Sequence, residues 1–173
     1  MPWLACLLSV FTLAFAPRLA AAGDRDDDEP ALISAEVRAG YGLSVGGGAG
    51  RASLRGSPLI LAARVAVAIR DQPRMSGYGG LVIETLDRTG VGGEAGITLE
   101  PSVRTRVRAG VIAMIAPYKI YGGAVGAGRC FVPGSARICL DLDADLFVGG
   151  SDLPMSGAAL QVVFGLGIGF DAN

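Results

Sequence analysis

Residues 103–111 read Val-Arg-Thr-Arg-Val-Arg-Ala-Gly-Val, and residues 138–146 read Ile-Cys-Leu-Asp-Leu-Asp-Ala-Asp-Leu. In the first stretch Arg104, Arg106 and Arg108 alternate with apolar or small residues. In the second, Asp141, Asp143 and Asp145 do the same. A period of two is that of an extended strand, whose side chains point alternately to opposite faces. The alternation recurs at Ile33–Ser44, Leu59–Ile69, Ala95–Glu100 and Leu160–Phe170, and more weakly at 77–87 and 118–128. Glycine- and proline-rich breakers separate these runs at 46–58, 71–77, 87–93, 100–102, 116–117, 132–137 and 149–157. The pattern predicts eight strands at about 31–45, 58–70, 77–87, 92–100, 102–116, 118–129, 136–148 and 157–171. No window carries a helical stripe.

Composition narrows the functions. The chain has 173 residues, room for one domain. At 51% hydrophobic residues it is too apolar to be disordered. It contains no histidine, which excludes His-ligated zinc and Ser-His-Asp catalysis. A net charge of −1 offers nothing to a nucleic acid. The glycine-rich stretch 40–57 lacks phosphate-loop spacing. The acids stand in rows rather than as an isolated catalytic pair. The sequence therefore predicts no enzyme, no cofactor and no metal site.

Residues 1–22 combine an apolar run, Trp3 to Ala16, with Pro17 and the small stretch Ala20-Ala21-Ala22. This is the form of a secretory signal peptide, and the run is too short to span a bilayer as a helix. An acidic leader follows at 23–30, and the remaining 31–173 form one β domain.

Two kinds of all-β protein share such alternation. A soluble barrel buries its apolar face, whereas a transmembrane barrel turns it to lipid and keeps the polar face inside. Three features favour the second. Leu59–Ile69 and Leu160–Phe170 keep one face apolar for about the 9–11 residues a tilted strand needs to cross a bilayer. Gly165, Gly167 and Gly169 relieve crowding on the other face. The charges stand in rows of one sign. Facing one another across a narrow lumen, Arg104, Arg106, Arg108 and Arg64 would neutralise Asp141, Asp143, Asp145, Glu84 and Glu94. Glu36, Glu100, Arg38 and Arg70 are placed to join them. Desolvated charges need such partners, and the arginine fork suits carboxylates.

In this pattern the chain resembles the small bacterial outer-membrane β-barrels of the OmpA and OmpX type, over residues 31–173 plus the signal peptide. The resemblance implies an antiparallel up-and-down transmembrane barrel in the outer membrane. It implies a monomer, surrounded by lipid and inserted by the barrel-assembly machinery. Tyr41, Tyr78, Tyr118 and Tyr121 fall near predicted strand ends, as an aromatic girdle requires, and Phe131, Phe147 and Phe170 extend it. The last strand departs from the family by continuing past Phe170 through Asp171-Ala172-Asn173. The expected role is structural or one of surface contact through loops 46–57 and 149–156, around a closed, charge-networked interior. The alternative is a soluble periplasmic or secreted barrel that binds a small apolar ligand.

Beyond the signal segment the chain has two cysteines, Cys130 and Cys139, flanking a Pro-Gly turn. In an exported protein they are expected to form a disulfide across that hairpin. With the N-terminus in the periplasm, loops 46–57, 88–91, 117 and 149–156 would point outward and the disulfide hairpin inward.

Overall fold

A computed structural model describes residues 33–48, 51–69, 72–85, 89–102, 104–133, 136–153 and 157–172. The predicted signal peptide (1–22), the acidic leader (23–30) and Arg70 lie outside the described residues. The eight strands are β1 (Ile33–Gly48), β2 (Arg51–Ile69), β3 (Gln72–Thr85), β4 (Thr89–Ser102), β5 (Thr105–Ala116), β6 (Ile120–Phe131), β7 (Ala136–Gly149) and β8 (Ala159–Ala172).

Each strand pairs antiparallel with its neighbour in sequence, and β8 returns to β1, closing the barrel. The closing register runs from Ile33 opposite Ala172 to Gly46 opposite Ala159. Both described chain ends therefore share one rim, called here the terminal end. The β1–β2, β3–β4, β5–β6 and β7–β8 connections share the distal end. The disulfide hairpin between β6 and β7 is at the terminal end. Closure leaves no edge strand along the barrel wall.

The predicted loop 46–57 is instead largely strand. β1 continues to Gly48 and β2 begins at Arg51, with Gly48 opposite Arg51. A ladder needs only backbone groups, so a glycine- and serine-rich run can pair as well, though each glycine weakens it. The local breaker is Pro58. It lies with Leu59 in the register irregularity opposite Tyr41, where a missing N–H costs no ladder bond. On the other side β2 pairs with β3 only from Leu59, opposite Thr85. The β1–β2 hairpin thus rises past the distal end of β3.

Polarity runs opposite to that of a water-soluble protein. Val37, Leu61, Leu81, Val111, Val125, Leu142 and Phe164 are exposed on the outer surface. Arg38, Arg64, Arg106, Arg108, Glu94, Asp141, Asp143 and Asp145 are buried inside.

Candidate functional site

Even-numbered inward positions on β1, β2, β4 and β5, and odd-numbered ones on β7, bring the charged residues together. Arg106 grips Asp141 with both arms of its fork, Nε to Oδ1 at 3.0 Å and Nη2 to Oδ2 at 2.5 Å. Its remaining nitrogen, Nη1, donates to Glu36. Arg64 grips Glu94 in the same way at 2.5 and 2.9 Å, and lies 3.5 Å from Glu36. Arg108 donates to Asp143 at 2.6 Å and stands 3.7 Å from Asp141. Arg38 pairs with Asp143. Four guanidiniums and four carboxylates (Glu36, Glu94, Asp141, Asp143) thus form one connected network. Its charges balance, which is the condition for burying them. The Arg64 guanidinium also lies 5.7 Å from the centre of the Tyr78 ring.

Glycines make the room. A Cβ on Gly165 would stand 2.8 Å from Arg38 Cδ, and one on Gly80 would stand 3.0 Å from Arg64 Cγ. Nearer the terminal end a smaller cluster joins Arg137 to Glu100 at 2.6 Å and to Asp171 at 3.1 Å.

Three expectations need correction. Arg104 does not join the lumenal row. It sits in the β4–β5 turn, exposed, because β5 begins one residue later at Thr105. Glu84 is inside, but its partners are neutral: Oε1 accepts from the Ser57 hydroxyl and from Gln161 Nε2, the latter at 2.6 Å. Tyr78 and Phe147 face inward and are buried, so neither belongs to a girdle. Tyr41, Tyr121, Phe131 and Phe170 do face outward. Asp145 is in the lumen, 5% exposed, with no ion pair or hydrogen bond among the described residues.

The sequence reading missed two features. Ser57 and Gln161 complete a polar cluster with Glu84 and Ser44. Ile60, Val82, Ile112, Met114, Phe147 and Val163 pack together inside the distal half, with Leu153 of the β7–β8 loop against them. The lumen is therefore sealed by an apolar layer above its charges. Two cavities among the described residues have volumes of about 20 and 30 Å³. Each has room for one or two waters, far below the few hundred Å³ of a small-molecule site.

Asp152 fastens two distal loops. Its carboxylate accepts the Lys119 backbone N–H at 2.7 Å and the Ser151 hydroxyl at 3.1 Å. These bonds, the Lys119 one foremost, hold the Asp152 carboxyl below the usual carboxylate range. A lowered folded value means that the clasp is fully formed above the ordinary aspartate pKa of about 3.9. It is lost as pH falls through the lowered value. Hydrogen exchange is expected to show the Lys119 amide protected at pH 5 and released on further acidification, but not in Asp152→Ala.

Cys130 and Cys139 are directly cross-strand, inward-facing and disulfide-bonded, each 1% exposed. They lie nine residues apart in sequence. Closing so short a loop stabilises by about 2–3 kcal/mol through the unfolded chain. The Cys130→Ser/Cys139→Ser variant is expected to lose that amount in urea titration. Equal stability of the oxidised wild type and the variant would contradict it.

No protein-family model matches the sequence, and no curated protein matches it. Among solved structures the chain is similar to Ail, the attachment invasion locus protein of Yersinia pestis. The identity is 12% and the TM-score 0.48, over 79% of this chain and 98% of that one. Ail in complex with the heparin analogue sucrose octasulfate gives 12% and 0.48, over 80% and 99%. A de novo designed transmembrane β-barrel gives 12% and 0.47, over 83% and 99%. At this distance no functional property is carried across.

Proposed function

We propose that this chain is a bacterial outer-membrane β-barrel with a closed interior and a non-enzymatic role, structural or in surface contact through its distal loops. The observation that carries the reading is the inverted polarity. Outward positions of all eight strands are predominantly apolar, while a balanced ionic network is buried inside. In water such an outer surface far exceeds the few hundred Å² that monomers normally expose. In lipid it is the favourable arrangement. The height agrees. β6 has 12 residues, and at about 3.3 Å per residue and a tilt near 40° it rises about 30 Å, close to a bilayer's hydrocarbon core.

The soluble alternative needs an apolar cavity inside. The described interior is charged or packed, so nothing there supports ligand binding. Sealing by Ile112, Met114, Phe147 and Val163 also argues against a pore.

Surface contact then falls to the β1–β2 hairpin and the β7–β8 loop. The residues the reading assigns to them include loops 46–57 and 149–156, of which 49–50 and 154–156 lie outside the described residues. Orientation is testable on intact bacterial cells expressing the protein. Ser151→Cys, in the distal β7–β8 loop, is expected to react with a membrane-impermeant maleimide. Val132→Cys, in the terminal β6–β7 turn, is expected to react only after lysis. The reverse pattern would contradict a distal contact surface.

A further inference from the structure

We propose that Arg129 on the outer wall and Arg104 in the adjoining rim turn form a site for the phosphate of an anionic phospholipid. The inference rests on the membrane-spanning reading and adds a ligand to it. β6 presents Tyr121, Gly123, Val125, Ala127, Arg129 and Phe131 outward. Among the described residues, Arg129 is the one charged side chain at an outward-facing strand position. Its outward cross-strand neighbours are Thr105 on β5 and Leu140 on β7.

A guanidinium on a lipid-facing wall is costly at mid-depth and tolerated near the interface. Arg129 is at the interface, one outward position before Phe131, where β6 ends. Arg104 directly precedes Thr105 and is exposed. Its carbonyl accepts the Cys130 N–H at 2.8 Å, which fixes the β4–β5 turn against β6. Arg104 adjoins Thr105 in sequence and Arg129 faces it across the strand pair, so the two cationic residues stand at one rim. Neither pairs with a carboxylate among the described residues. The nearby Glu100 is held by Arg137. Two like charges side by side gain nothing from each other. A phosphate diester supplies the missing anion, and two guanidinium forks with a hydroxyl match its oxygens. A net-negative headgroup is preferred over a zwitterionic one because it leaves a charge for the second arginine.

The test offers the detergent-solubilised full chain equal amounts of phosphatidylglycerol and phosphatidylcholine with identical acyl chains. Retained lipid is counted by native mass spectrometry. The wild type is expected to retain phosphatidylglycerol preferentially. Arg129→Gln and Arg104→Gln are each expected to lower that preference about fivefold. Arg74→Gln, at the same rim but bonded to the Pro101 carbonyl at 3.2 Å, is expected to leave it unchanged. A mobility shift on boiling reports folding separately. A double variant that keeps both the shift and the lipid preference would overturn the proposal. So would an equal loss in Arg74→Gln, since net charge alone would then explain the binding. A wild type that is soluble without detergent and shows no shift would overturn the membrane reading instead.

Discussion

Arg106→Met is expected to destabilise the barrel by about 3–5 kcal/mol, the usual cost of breaking a buried ion pair from one side. The reason is that Arg106 serves two buried carboxylates at once, Asp141 through a two-armed bond and Glu36 through its third nitrogen. Removing it takes the shortest partner from both, leaves Glu36 with Arg64 at 3.5 Å and Asp141 with Arg108 at 3.7 Å, and unbalances the buried network by one negative charge. Arg106→Lys keeps the charge but loses the fork, so it should recover only part of the loss. Adding Asp141→Asn to Arg106→Met removes the excess negative charge and restores the balance. The double variant should therefore be more stable than the sum of the two single losses predicts. The midpoint of urea unfolding in micelles measures each value. A loss under about 1 kcal/mol for Arg106→Met would mean the network is hydrated like a surface.

The second large effect concerns the outer wall. Val111, midway along β5, is 63% exposed. If the wall faces lipid, Val111→Arg places a charge near mid-depth and costs about 2–4 kcal/mol. The folded yield in lipid vesicles should fall accordingly, while Val111→Leu should fold as the wild type does. If the wall faced water, the same arginine would change stability by no more than about 0.5 kcal/mol and would improve solubility. The two environments therefore give opposite results for one substitution.

The barrel was legible because alternation survives in most strands, and Gly-Pro breakers mark where they turn. What alternation reports is only that two faces differ. Residues 103–108 show the limit. Val103-Arg104-Thr105-Arg106 alternates without interruption, yet Arg104 belongs to the turn, because Ser102 already pairs with Thr105 across it. The hairpin at 46–57 was hidden for the opposite reason, since glycine carries no facial signal at all.

The distal seal had a signal that alternation masks. Leu59-Ile60-Leu61, Leu81-Val82-Ile83, Val111-Ile112-Ala113, Leu146-Phe147-Val148 and Val162-Val163-Phe164 are apolar on both faces. Four of them lie in the distal halves of their strands, and Leu59-Ile60-Leu61 lies midway along β2. A run that is apolar on both faces, recurring at one end of successive strands, marks where a lumen is plugged. Glu84 was misassigned to an arginine because charge complementarity alone cannot see Ser57, which is fully buried, or Gln161. Both neutral donors come from segments distant in sequence.

Whether the apolar wall faces lipid is decided by partition. The full chain would be refolded with and without detergent-free lipid vesicles. Flotation, far-UV circular dichroism and gel mobility before and after boiling would be compared. A lipid-facing wall gives a β spectrum, flotation with the vesicles and a mobility shift on boiling, all absent without lipid or detergent. A monodisperse β protein in plain buffer that leaves vesicles unbound would contradict it.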